Sequence, residues 1–268
     1  MTISCVTVAA WSGPLDMHGS YSLWNRAPRE RLRPIGPEPH PYTTDPGWFQ
    51  LEIDPLSYTR NRDSEERTRA FDMPALLKIG LFENIDLQFG FELLLRERTN
   101  DLDTGDRERD SGFGDMMIAS KINLWGNDGG DTAMAVQPFI MLPTARHDGG
   151  DGGASGGVMF PTAWALDDVW TLEITPSVAA VRNSNDDGYV TEFAHLTVFT
   201  RELWEDLEGF VELENAATTE SGQTWEAIIA TGLTWEVNPD TVLESGVGFG
   251  LNDATDDLTV YLKLVQRF

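Results

Sequence analysis

Residues 257–268 read DLTVYLKLVQRF, and the environment their alternation demands decides the fold of the whole chain. Successive side chains of an extended strand point to opposite faces. Leu258, Val260, Leu262, Leu264 and Phe268 therefore share one side, and Thr259, Tyr261, Lys263 and Arg267 the other. Chain ends are ordinarily polar and frayed, yet this sequence stops on an aromatic ring. A half-buried soluble sheet and a wall between lipid and water both accept such a strand.

The same beat runs through the chain. In IDLQFGFEL (85–93), Ile85, Leu87, Phe89, Phe91 and Leu93 oppose Asp86, Gln88, Gly90 and Glu92; in TVLESGVGFGL (241–251), Leu243, Val247, Phe249 and Leu251 oppose Glu244 and three glycines. Segments of this kind start near Trp48, Pro74, Ile85, Phe113, Thr132, Gly156, Val169, Gly188, Leu207, Thr224, Thr241 and Asp257, separated by Gly, Asn, Asp and Pro clusters. Each is about as long as a tilted membrane strand of roughly 9–13 residues. No segment sustains a helical period, and none approaches the roughly 18–20 apolar residues of a spanning helix. The fold expected is all-β: a closed up-and-down transmembrane antiparallel barrel of about 12 strands, over residues 47–268.

Connection lengths and tryptophans separate a barrel from a sandwich. Long polar linkers such as RNRDSEERTRAFDM (60–73), RERTNDLDTGDRERDSG (96–112) and ARHDGGDGGAS (145–155) alternate with short ones such as FENI (82–85), ALDD (165–168), EVNPD (236–240) and WGNDGGD (125–131). Outer-membrane barrels show this long and short alternation, with the short turns periplasmic. Trp48, Trp125, Trp164, Trp170, Trp204 and Trp235 all fall at the short-turn end with Phe268, while Trp225 falls at the other. Indole rings favour the headgroup level, so these residues are expected to form a membrane girdle. The terminal aromatic also resembles the C-terminal signal by which bacterial outer-membrane barrels are recognised for insertion, with Gln266 departing from the pattern. The barrel-assembly machinery and outer-membrane lipids are therefore the expected partners.

Composition narrows the function. The chain has 44 acidic and 19 basic residues, a formal charge of −25, which argues against nucleic acid because duplex binding needs clustered Lys and Arg. A single cysteine, Cys5, makes no internal disulfide, and no Cys/His cluster offers a zinc site. MTISCVTVAA (1–10) is apolar but short and lacks a basic leader, so it reads as a residual signal segment or a disordered tail. RAPRERLRPIGPEPHPYTTDPG (26–47) is too rich in Pro and Arg to pack, and residues 1–46 are expected as a flexible, extended leader.

Function in a barrel lies on inward positions. Strand parity puts Gln50, Glu52, Asp54, Asp86, Gln88, Glu92, Glu173, His195, Glu208, Glu212, Glu214, Glu226 and Glu244 in the lumen, joined by Lys78, Lys121, Lys263 and Arg267. Such a net-acidic passage favours cations and neutral solutes over anions; the competing reading is that these groups pair across strands and plug a narrow interior. No cofactor, metal site or catalytic residue is expected. GASGG (153–157) matches a nucleophile elbow at Ser155, but that motif needs a strand before it and a helix after it. NSNDDGYVTEF (183–193) and NDLDTGD (100–106) depart from calcium loops in their glutamate and glycine positions.

The stretches PYTTDPGWFQLEID (41–54), GFGDMMIASKINLWGNDGGDTAMAVQPFIMLPTA (112–145), VRNSNDDGYVTEF (181–193) and TGLTWEVNPDTVLESGVGFGLNDATDDLTVYLKLVQRF (231–268) resemble the phenol-degradation meta-pathway family of outer-membrane transporters, LWGNDGG being the most specific part. The resemblance implies a Gram-negative outer-membrane channel, with aromatic or other small compounds as solutes. Two rival readings are an outer-membrane barrel enzyme of lipase or protease type, with His147 or His195 beside a serine or carboxylate, and a soluble all-β binding module. Hydrogen-bond partners of the histidines test the first; an apolar interior would reveal the second.

Overall fold

The computed structural model describes residues 21–62, 66–145, 152–185, 187–222 and 225–268. Fourteen strand segments follow one 3-10 turn at Arg29–Arg31: β1 Phe49–Arg62, β2 Glu66–Phe82, β3 Ile85–Asp101, β4 Arg107–Gly112, β5 Met116–Trp125, β6 Thr132–Leu142, β7 Ser155–Met159, β8 Thr162–Ala165, β9 Trp170–Arg182, β10 Tyr189–Trp204, β11 Leu207–Thr218, β12 Glu226–Asn238, β13 Thr241–Gly250 and β14 Leu258–Arg267. All the pairings are antiparallel. β4 and β5 continue one register on β3, from Asn100↔Arg107 down to Ile85↔Ile122. β7 and β8 do the same between β6 and β9. Pro161 separates the latter pair because it has no N–H to give to the ladder. Fourteen segments thus build twelve strands.

The wall closes where β14 meets β1, in register from Gln50↔Arg267 to Arg60↔Leu258. Phe49 and Phe268 exchange backbone hydrogen bonds of 2.8 and 3.3 Å, so the final residue completes the cylinder. Apart from the outer edge of β4, which pairs only with β3, the described strands are paired on both sides around the cylinder. The apolar faces look outward: Phe193, Phe199, Val211, Leu233, Phe249, Val260 and Leu262 are all exposed, while Lys78, Asp86, Gln88 and Lys121 are buried. A soluble β-sandwich would have this arrangement inverted, because its core is the apolar face.

Two expectations change at the end of the barrel away from the chain termini. RNRDSEERTRAFDM and RERTNDLDTGDRERDSG are not simply loops; β1 reaches Arg62 and β2 starts at Glu66, while β3 reaches Asp101 and β4 starts at Arg107, so strands run through most of both. β2 accordingly starts at Glu66 rather than near Pro74, and the fourth strand at Arg107 rather than near Phe113. Here the strand signal is alternation of charge sign rather than of apolarity. The start expected near Thr224 falls outside the described residues, and β12 is described from Glu226.

Candidate functional site

The interior near the chain termini is occupied by the chain itself. Residues 21–46 were expected as an extended leader unable to pack; they are largely without regular structure, but they run inside the barrel mouth, with Thr43, Thr44 and Asp45 3–6 % exposed. The prolines of PIGPEPHPY carry no N–H, so few backbone donors need partners there. Several of those that remain reach side chains of the wall and its turns. Glu38 N–H donates to Glu52 (3.1 Å), Thr44 N–H to Asp86 (2.9 Å) and Thr43 N–H to Asn127 (3.0 Å). The carbonyls of His40 and Pro41 accept from Lys121 Nζ (2.6 Å) and Asn123 Nδ2 (2.9 Å). Gly80 lets the segment approach β2, since a Cβ there would overlap the Asp45 carbonyl.

Glu38 is the centre of this packing. Its carboxylate lies 2.8 Å from Lys78 Nζ and 2.6 Å from Lys121 Nζ, and Lys78 also pairs with Glu52 at 2.6 Å. Burial alone would raise the Glu38 pKa, but the Lys121 and Lys78 ammoniums outweigh it and hold the carboxyl well below its usual range. His40 Nδ1 accepts from the Tyr42 N–H at 3.2 Å. Burial pushes its pKa down to about 3, against the pull of Glu38 and with Lys121 and Lys78 adding to the push. His40 is therefore neutral here.

A second cluster holds the segment at the rim. Arg33 pairs with Asp45 at 3.0 Å, Arg267 Nη1 donates to the Arg33 carbonyl at 2.6 Å, and Asp240 accepts from Arg29 at 2.7 Å and Arg267 at 2.9 Å. Trp48 Nε1 donates to the Ala27 carbonyl (2.8 Å), and Arg26 lies 3.2 Å over its ring.

Across from these contacts the interior is open. A cavity of about 840 Å³ lies between the segment and the wall of β9 to β13, bordered by Glu173, Glu208, Glu212, Glu236 and Glu244, with Arg31 and Arg33 on the segment side. A second cavity of about 460 Å³ is bordered by Glu52, Asp54, Glu92, Asp115 and Lys263. Glu38 borders both cavities.

Register gives the facing of each expected site residue. Glu52, Lys78, Gln88, Glu92, Lys121, Glu173, Glu208, Glu212, Glu226, Glu244, Lys263 and Arg267 face inward; Asp54 sits at a bulge and borders the smaller cavity. His195 does not join them. It stands opposite Pro176 and Asn215, on the outward face with Phe193 and Phe199. Its inward neighbours are Ala194 and Leu196, and its ring contacts Thr197 Oγ1 at 2.7 Å. That contact is with neither a serine nor a carboxylate. His147 lies outside the described residues, as do His18 and Cys5. Ser155 opens β7 opposite Met141 rather than lying in a loop, and no helix follows it. Trp48 leaves the expected girdle too: it is 3 % exposed, sealed by the segment. Trp125, Trp170, Trp204, Trp235 and Phe268 are exposed, and Trp164 is partly so. The inner segment itself, with Glu38 and His40, escaped the sequence reading because its partners come from strands 14 to 234 residues away. Among the described residues no Cys, His, Asp and Glu cluster is arranged to hold a metal.

Comparison with solved structures gives the same architecture. The COG4313 outer membrane channel from Pseudomonas putida F1 superposes with a TM-score of 0.66 at 11 % identity, over 87 % of this chain and 100 % of that one. The NanC porin gives 0.53 at 11 % identity, over 81 % and 98 %. The transport unit of the autotransporter AIDA-I from Escherichia coli gives 0.51 at 10 %, over 82 % and 89 %. At these identities the likeness is one of fold; these neighbours are channels, porins and transport units rather than enzymes. No curated protein matches in sequence. Residues 37–268 match the family described as "Putative MetA-pathway of phenol degradation", so the chain belongs to that family.

Proposed function

We propose that the protein is an outer-membrane channel for passive passage of small solutes, narrowed where residues 21–46 cross its lumen. One observation carries this reading: inside a closed wall lie two cavities of about 840 and 460 Å³, each lined in part by carboxylates and both bordered by Glu38. A barrel built only for structure has no need of such interior space, since small barrels fill theirs with side chains. Outward apolar faces, exposed indole rings at the short-turn end and likeness in fold to outer-membrane channels support the location. The acidic border favours cations and neutral solutes, and the family description supports small aromatic compounds among the latter. Reconstitution of the full chain into a planar bilayer tests the proposal. Discrete conductance steps with a cation-selective reversal potential are expected; a silent membrane together with no solute flux into vesicles would refute it.

A further inference from the structure

The extensions of β1 to β4 beyond the apolar band carry a feature that transport does not use. Their outward face is arginine. Register aligns Arg60, Arg69, Arg98 and Arg109 side by side across four neighbouring strands. The next outward row holds Arg62, Arg67, Asn100 and Arg107, and Arg96 lies one row below. Acids occupy the alternate, inward positions, including Glu66, Glu97, Glu108 and Asp110. Eight of the chain's 19 basic residues thus share one patch on a protein of charge −25.

Like charges directly opposite in a sheet destabilise it. Among the described residues none of these eight guanidiniums takes part in a salt bridge, and Arg98 Nε is buried with no hydrogen-bond partner. Among the described residues these guanidiniums are therefore without a carboxylate partner. Guanidinium rows set by the strand spacing of about 4.8 Å can fork onto phosphate oxygens shared between neighbours. Height selects the phosphate's carrier. Between Phe49 and Arg60, about 3.3 Å per residue along a strand tilted near 40° gives roughly 28 Å, just beyond an apolar band of about 25 Å. Above the rows, the turn residues Asp103 and Asp106 repel a polyanion arriving from solution.

We propose that these rows bind the phosphate groups of the outer-leaflet glycolipid, a diphosphorylated lipid A, beside the barrel wall. The inference rests on the outer-membrane reading above. The full chain in detergent micelles is titrated with diphosphoryl lipid A and with lipid A stripped of both phosphates. Wild type should prefer the phosphorylated form by on the order of a thousandfold, since four arginines at about 1 kcal/mol each act at about 1.4 kcal/mol per tenfold, and R60Q/R69Q/R98Q/R109Q should lose that preference. Replacing the same four residues with lysine should restore part of it, because charge returns without the fork. Equal affinity of wild type for the two lipids, or an unchanged preference in the glutamine variant, overturns the proposal. Displacement of the lipid by millimolar inorganic phosphate alone also overturns it, assigning the rows to a free anion. Should the quadruple variant fail to fold, R69Q/R98Q and the wild-type comparison decide. Bilayer conductance of the same preparations separates this outcome from failure of the channel reading, since no lumen residue is altered.

Discussion

Lys78 and Lys121, on the wall of β2 and β5, are 1 % and 0 % exposed. Glu208 and Glu212, on the facing wall of β11, look into about 840 Å³ of open space. At the level of the segment the cylinder is filled beside β2 and β5 and hollow beside β11, and charge accounts for the difference. The Lys78 and Lys121 ammoniums, which face the segment from the wall, attract its Glu38 carboxylate. Among the described residues the glutamates of β9 to β13 make no salt bridge to the segment, although Arg31 and Arg33 border the same cavity. Lumen charge thus positions the segment as well as biasing the solute.

Removing the segment is the strongest way to break this asymmetry. Deleting residues 1–46 should merge both halves into one open lumen and raise single-channel conductance several-fold, with heat-modifiable migration on a gel reporting an intact barrel. An unchanged conductance would mean that the segment does not narrow the path.

Lys121→Met should loosen the segment without removing it. The Glu38 carboxylate would keep only Lys78, and breaking a buried pair by removing one partner costs about 3–5 kcal/mol. Limited proteolysis between residues 21 and 46 should accelerate, and K121M/E38Q should recover part of the protection, since both charges are then gone.

Acidity should act in the same direction. His40 titrates near 3 when docked and near 6.5 when free, so the undocked state binds more protons across that window. Docking is then fully favoured above about pH 6.5 and weakens as pH falls, by about 1.4 kcal/mol per unit. Glu38, with its docked pKa depressed, adds to the loss only once pH drops below about 4.3. Open probability should therefore rise between pH 7 and 4, and His40→Gln should flatten that rise. A wild-type response that rises with pH instead would refute the sign.

The smallest effect sharpens the hollow half. Glu212→Gln with Glu244→Gln should shift the reversal potential toward zero with little change in conductance, because the cavity remains polar. Potentials that do not move would place the ion path elsewhere.

Period-two alternation fixed most of the inward residues in advance, since a strand leaves each side chain only two choices. It failed at His195 because YVTEFAHLTVF alternates two mixed sets: Val190, Ala194 and Leu196 inward, Thr191, His195 and Thr197 outward. Neither set is plainly oily, so only pairing with β9 and β11 settled the parity. Linker reading failed on the arginine-rich extensions because polarity was taken for loop, although R-E-R at 96–98 and again at 107–109 keeps a strand's period.

By itself, the sequence determined a twelve-stranded barrel with oily outside and charged inside, because local alternation and turn chemistry are encoded residue by residue. Only the tertiary structure decided that residues 21–46 enter the lumen, that Trp48 is sealed beneath them and that eight arginines form one patch. Those facts depend on side chains distant in sequence meeting across the closed wall, and no local pattern carries that information.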